Sequence, residues 1–362
     1  MLRALAAEHK FTVFSVQFEN PYPDRIDWVR IPAPVRPLAL LFITFHVLAP
    51  VYYLLYRLRK RTRFDLVQMV ESNLSFGDIC YAHFCHTAYL KEHWNEAKPS
   101  GVRGFFRKLD HALHAVMERS AFRRAKNIVV PSLGLAKELS RAFPFTTRKI
   151  RVISNAVDVD GLGRPASFDR VAFRSEFGFG TEDAVFLFAA LGQFERKGLP
   201  LLLEALKGAD SAHTKLMVVG GEPGVVASYK DKANRLGLSG AVVFTGMRSD
   251  VRPYLWSADA FVLPSSYETF SLVAYEAAAA GLPVIAPRLN GIDELLREGE
   301  NGYAIERTRE QVATALKRFT VLPEEKRTAM GRRASTIAAD YNPAQFERKW
   351  RLFYNEWISG LK

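Results

Sequence analysis

Cysteine is nearly absent: Cys80 and Cys85 are the two in 362 residues. Two thiols make neither a disulfide framework nor a four-ligand zinc site, and so low a count fits a reducing compartment. Internal repeats and low-complexity runs are missing. No cleavable leader pattern opens the chain, because the first long apolar run lies well inside it and lacks a cleavage site. The only Asp-x-Asp, "DVD" at 158–160, sits in a segment with linker composition, so no motif is placed to seat a divalent metal. Acidic residues are scarce in one half. Up to Val157 there are 24 Lys and Arg against 12 Asp and Glu, and from Asp158 onward 26 of each, so the whole formal excess of +12 lies in the first half. Such asymmetry points one half at an anionic surface or ligand, with membrane and nucleic acid as the two usual candidates. Nucleic acid is set aside, since neither a helix-turn-helix nor an interleaved aromatic–basic pattern is found.

What is present is a regular alternation. The length suggests two domains, and the composition, 48% hydrophobic and 24% charged, is that of a globular protein. In the second half, short apolar runs at Val185–Ala190, Leu216–Val219, Ala241–Phe244, Ala260–Leu263, Pro283–Ala286 and Tyr303–Ile305 are separated by helical patterns. Continuously apolar strands alternating with helices predict a parallel sheet covered on both faces. The first half reads the same way, less cleanly, with strands at Phe11–Val16, Asp65–Val70, Ile79–Phe84, Ile128–Pro131 and Ile150–Ile153. "SNAVDVDGLGRPAS" (154–167) is the best linker. The expected architecture is α/β: two Rossmann-like domains facing a central cleft, residues 1–157 and 158–340. A final helix over 341–362 is expected to pack back on the first domain. Ligands of such sheets bind at the carboxyl ends of the strands.

The stretch "PSSYETFSLVAYEAAAAGLPVIAP" (264–287) holds Glu268 and Glu276. Eight residues at helical rise separate them by roughly 12 Å, wider than the about 5–9.5 Å of a glycosidase acid pair. Carboxylates can instead accept hydrogen bonds from sugar hydroxyls, and the helix start near Phe270 or Ser271 offers free N–H groups to an anion. Solvated helix glutamates are the bland alternative. In "GQFERKG", Arg196 and Lys197 follow a strand end and suit a diphosphate. Gly220-Gly221 either lets a ligand approach the backbone or makes a tight turn. "GLGRPA" (161–166) matches a dinucleotide fingerprint, but no strand directly precedes it, so it reads as linker.

Several of these segments carry a resemblance. "AKNIVVPSLGLAKEL", "KIRVISNAVDVD", "ALGQFERKGLPLLLEAL", "LMVVGGEP", "VVFTGMRSDVRPYLWSADAFVLPSS" and "SSYETFSLVAYEAAAAGLPVIA" occur in this order. Together they resemble the retaining nucleotide-sugar glycosyltransferases of the GT-B type, family four (glycosyl transferases group 1). The likeness is good from about Ala125 to Ile305 and loose before it. It implies that Glu276 binds the donor ribose, and that Glu268 with the backbone of Thr269, Phe270, Ser271 and Leu272 faces the donor sugar and phosphates. Arg196 and Lys197 would meet the diphosphate, Gly220 and Gly221 the nucleotide, and a histidine of the first domain the donor sugar. In "DICYAHFCHTAYLK" (78–91) His86 fits that role better, since His83 falls within the expected strand. His86, Glu268 and Lys197 are thus the catalytic candidates.

The resemblance further implies no cofactor and no metal, the nucleotide sugar being a substrate. Its acceptor would be a glycan or a lipid-linked glycan, in cell-surface polysaccharide, lipopolysaccharide or glycolipid synthesis. The alternative is a non-catalytic or truncated nucleotide-sugar-binding protein of the same fold. That alternative arises from a departure: "MLRALAAEHKFTVFSV" opens the chain where the family has a strand and a Gly-rich loop, so the first strand looks missing. Finally, "PLALLFITFHVLAPVYYLLYRLRKRTR" (37–63) is an apolar run ending in five cations. It suits a buried helix, an interfacial helix on anionic lipid, or a span. The expected location is cytoplasmic, peripheral on the inner face of the cell membrane.

Overall fold

The computed structural model describes residues 1–96, 101–208 and 213–360. They divide into two compact units. One holds the described residues of Met1–Asn95, Pro99–Ser154 and Ala344–Lys362, and the other chiefly those of Asn155–Pro343.

The first unit contains β1 (Phe11–Ser15), β2 (Ile26–Arg30), β3 (Gln68–Val70), β4 (Ile79–Tyr81), β5 (Asn127–Val130) and β6 (Ile150–Val152). β3 to β6 form a four-stranded parallel sheet in sequential order, and β1 and β2 a separate parallel pair. β2 is unmarked in the sequence because only Ile26 of "IDWVR" is buried, so no apolar run betrays it. Among the described residues no ladder joins the pair to the larger sheet. The core there is closed by helices: Leu5 of the short helix Leu2–Leu5 clusters with Ile79, Val129, Ile153 and with Trp350 of the last helix, Pro343–Ser359. Trp350 is wholly enclosed, and truncating such a ring typically costs about 3–5 kcal/mol. Tyr354 Oη donates to Gln68 Oε1 at 2.7 Å, which fixes the helix further.

The apolar segment forms a 23-residue helix, Leu38–Lys60, of which only Phe42 and Ala49 are buried. The buried-helix reading is therefore corrected: most of its apolar surface faces outward.

The second unit is one six-stranded parallel sheet. Its strands are β7 (Ala184–Ala189), β8 (Thr214–Val219), β9 (Val242–Gly246), β10 (Ala260–Val262), β11 (Val284–Ala286) and β12 (Gly302–Ala304). The spatial order is β9-β8-β7-β10-β11-β12. Every residue of β7 is buried, as a central strand covered on both faces requires. The chain runs outward from β7 to β9, then crosses back to β10. The strand order thus reverses between β7 and β10, the point at whose carboxyl ends sheets of this kind bind their ligands. The 154–167 segment is not a free tether: Val157 and Leu162 are buried, and the Leu162 carbonyl accepts from Trp256 Nε1 at 2.7 Å.

Candidate active site

The β7 loop leads into a single helical turn, Phe194–Lys197, closed by Gly198 in the left-handed region at φ +82°. A Cβ at Gly198 would lie 2.1 Å from the Pro264 carbonyl oxygen. Glycine thus lets the β7 loop press against the end of β10, and this contact brings Lys197 to Glu268. Lys197 Nζ stands 2.6 Å from Glu268 Oε1, and Ser265 Oγ donates to the same oxygen at 2.6 Å. Both side chains are largely enclosed. Burial pulls the Lys197 ammonium below its usual range, and the Glu268 carboxylate opposes that shift. Arg196 is held differently. Its Nη1 bonds the Tyr267 carbonyl and its Nε donates to Gln193 Oε1 at 2.7 Å, so it braces the two loops.

After Glu268 the chain enters the helix Leu272–Ala279, rich in alanine, the best helix former. Its Ncap, Ser271, adopts φ +66°, ψ +66° and makes no capping bond. A non-glycine residue there costs roughly 1–2 kcal/mol. The Ser271 Oγ is also buried without a partner, a further cost of about 1–3 kcal/mol. Strain and an orphaned hydroxyl thus coincide at a helix start where N–H groups stand free. Phe270 turns inward and stacks on Tyr275 at 4.3 Å, so it presents its backbone. Tyr275 Oη donates to the Gly291 carbonyl at 2.7 Å, tying this helix to the β11 loop. Leu272 is exposed.

Glu276 lies one turn into the helix, half-buried. Burial alone raises its carboxyl above the usual range; no hydrogen bond or ion pair reaches it from the described residues. A partly desolvated carboxylate without a protein partner is costly unless something else supplies donors.

Gly220 and Gly221, in the loop after β8, have φ +102° and +88°. A Cβ at Gly220 would lie 2.0 Å from the Ala190 carbonyl oxygen, and one at Gly221 would lie 2.7 Å from the Phe194 ring. Packing against the β7 loop thus accounts for both glycines.

In the first unit β4 ends at Tyr81, so the expectation that His83 lies within the strand is corrected. Both histidines fall past the strand end. His83 is half-buried, its N–H donating to Glu71 Oε1 at 3.0 Å. His86 is 8% exposed. Its N–H bonds Glu118 Oε1. Its Nδ1 lies 2.9 Å from that of His111, and its ring stacks on His114 at 4.3 Å. Burial, with His114 and His111 adding to it, pulls His86 down to about 2. His86 is a neutral, enclosed ring; His83 packs on Tyr81 at 4.1 Å, and burial pulls it below its usual range as well. The strand ends three residues earlier than read.

Comparison with known proteins bears on the family and the fold. Residues 1–160 match the family model Glycosyltransferase Family 4, and 183–320 match Glycosyl transferases group 1. The chain belongs to the family four glycosyltransferases, a family of enzymes with the GT-B fold. An uncharacterized glycosyltransferase of Methanocaldococcus jannaschii is 26% identical over 81% of this chain and 76% of its own length. The lipopolysaccharide core biosynthesis glycosyltransferase LpsE of Rhizobium meliloti is 35% identical, over 52% of this chain and 51% of its own length. Among solved structures, WaaG, a glycosyltransferase involved in lipopolysaccharide biosynthesis, superposes with a TM-score of 0.73 at 19% identity, covering 96% of this chain and 91% of WaaG. Anabaena HepE in complex with UDP-glucose gives 0.68 at 19% identity, over 96% and 100%. At those identities the likeness is one of fold.

Proposed function

We propose that the protein is a retaining glycosyltransferase that moves a sugar from a nucleotide-diphosphate sugar to a glycan or lipid-linked acceptor. The single observation that carries this is the Glu276 carboxylate, desolvated and unpaired beside a helix start with an orphaned hydroxyl. Ribose hydroxyls supply the donors Glu276 lacks, and the free N–H groups near Ser271 suit the diphosphate. Lys197 is placed to meet charge that grows on the leaving diphosphate. Arg196 supports that loop. This reading assigns charge stabilisation to Lys197 and the helix start, with no divalent ion. Glu268 holds Lys197 and faces the sugar. The acceptor oxygen bonds the anomeric carbon, the bond to the diphosphate oxygen breaks, and the acceptor proton passes to that oxygen. Same-face attack of this kind retains configuration and needs no protein nucleophile.

Solved neighbours bearing UDP and UDP-glucose support a nucleotide-sugar donor, and the LpsE and WaaG likenesses support a cell-surface polysaccharide or lipopolysaccharide acceptor. We place the protein in the cytoplasm, meeting anionic membrane through residues 37–63. A second reading, a nucleotide-sugar-binding protein without transfer, is favoured by one observation: the β1–β2 pair stands apart from the sheet of its unit. A panel of nucleotide sugars, with and without candidate acceptors, separates the two. Transfer, or slow donor hydrolysis, that is lost in Glu276→Ala supports the enzyme, and anomeric NMR of the product reads retention. Binding without either reaction for every donor supports the second reading.

A further inference from the structure

The helix Leu38–Lys60 lies on its unit by one side only. Phe42 packs on His114 at 4.2 Å, Tyr53 and Tyr56 pack on Phe14 at 5.9 and 5.7 Å, and Tyr56 Oη donates to Asp27 Oδ2 at 2.7 Å. The opposite side carries Leu40, Ile43, Val47, Val51, Leu54 and Leu58, all exposed. Their spacing of three and four residues puts them on one stripe. A helix normally turns such a stripe inward. Crossing a bilayer would strip away the Phe42 and tyrosine contacts, whereas lying flat on one keeps them.

A second helix of the same unit, Gly101–Arg124, repeats the pattern. Val102, Phe105, Leu109 and Val116 are exposed at the same spacing. The same face then turns basic: Val116, Arg119, Ser120, Arg123 and Arg124 line an open groove of about 310 Å³. The two helices meet where Phe42 touches His114, and their carboxyl ends reach one turn. Tyr53 packs on Phe76 at 5.3 Å, and Arg124 Nη1 donates to the Ser75 carbonyl at 2.9 Å. Arg59, Lys60, Arg61 and Arg63, all exposed, thus share this end of the unit with the three arginines of the groove, while Arg57 lies over the Tyr53 ring at 5.5 Å on the packed side. The ion pairs of this unit are Lys126–Asp78, Arg351–Glu8 and the His114–Asp110 contact, so among the described residues none of these cations meets a carboxylate.

We infer that the two helices form one docking face for an anionic lipid bilayer. The paired apolar stripes enter the acyl boundary, and the gathered cations sit on headgroup phosphates. This rests on the membrane reading of residues 37–63 and extends it to a second helix whose sequence, broken by charges, shows no long apolar run.

The test uses the full chain with phosphatidylcholine vesicles and with phosphatidylcholine–phosphatidylglycerol vesicles. Three variants change exposed residues away from the donor site: Val47→Ser with Leu54→Ser, Phe105→Ser with Phe106→Ser, and Arg119→Gln with Arg123→Gln and Arg124→Gln. The wild type is expected to co-sediment with the anionic vesicles, and each variant to do so at least about tenfold less well. Nucleotide binding, measured separately, is expected to stay unchanged. If only the first variant loses binding, the two-helix face is overturned and the reading of residues 37–63 stands alone. If the wild type ignores anionic vesicles, or sediments as a dimer indifferent to them, both fall. An environment-sensitive dye on Val116→Cys in the otherwise unchanged chain guards against variants that fail to fold. Its emission is expected to shift to the blue on anionic vesicles, while the same dye on Val171→Cys in the other unit is not. No shift at position 116 overturns the proposal.

Discussion

Replacing Lys197 by methionine leaves Glu268 buried without its cation. The side chains are 15% and 6% exposed and 2.6 Å apart, so the pair is desolvated. Removing one member of such a pair costs about 3–5 kcal/mol, because the other charge stays buried and unpaired. Neutralising both with side chains of similar volume typically costs less than about 1.5 kcal/mol. The second unit of Lys197→Met is therefore expected to lose about 3–5 kcal/mol, and Lys197→Met with Glu268→Gln to regain most of it. Native-state hydrogen exchange of the β7 amides reads this unit apart from the other. A loss of that size lowers protection by at least about 100-fold. Transfer behaves differently. It stays lost in the double variant, since no cation meets the departing diphosphate. Wild-type protection in Lys197→Met, or transfer restored in the double variant, would refute the reasoning.

Three further outcomes are expected. Burial raises the Glu71 carboxyl from 4.5 to about 8. The folded chain therefore holds a proton that the unfolded chain releases between those values, and the first unit loses stability as pH rises through that window. Glu71→Gln, whose amide oxygen can still accept from His83, is expected to gain stability over wild type from pH 5 to pH 8 (from about 4.5 upward), as followed by thermal melts. A constant or shrinking difference would contradict this. Gly198→Ala would drive a Cβ into the Pro264 carbonyl. It is expected to destabilise the second unit by more than about 1 kcal/mol and to cut transfer, and urea titration with a transfer assay checks both. Ser271→Gly removes the unfavourable φ of +66°. It is expected to stabilise the protein by roughly 1–2 kcal/mol in the same titration with donor binding retained, and a loss of stability would contradict the strain argument.

The second unit was legible because its strands are central and parallel. Runs such as Val185–Ala190 are apolar throughout, and the observed β7 is shifted by one residue. The first unit was less legible because its boundaries are set by packing. β2 buries only Ile26, β3 is a three-residue strand where six were read, and β4 stops at Tyr81, which changes the setting of both histidines. The donor-site residues could be named from spacing and resemblance, but not their division of labour. That Arg196 bonds a backbone carbonyl while Lys197 bonds Glu268 depends on how two loops far apart in sequence meet. Likewise, no local pattern says whether the apolar run 37–56 turns toward the core or away, because tyrosines, not the aliphatic stripe, make the contact.

The most direct test of the central claim is calorimetry of nucleoside diphosphate binding to wild type and to Glu276→Ala. If ribose hydroxyls donate to Glu276, each charge-assisted bond contributes roughly 1.5–3 kcal/mol, and affinity falls at least about tenfold in a variant whose melting is unimpaired. Glu276→Gln, which keeps an acceptor, is expected to lose less. Unchanged affinity in a folded Glu276→Ala protein would contradict the assignment of this site to a nucleotide sugar.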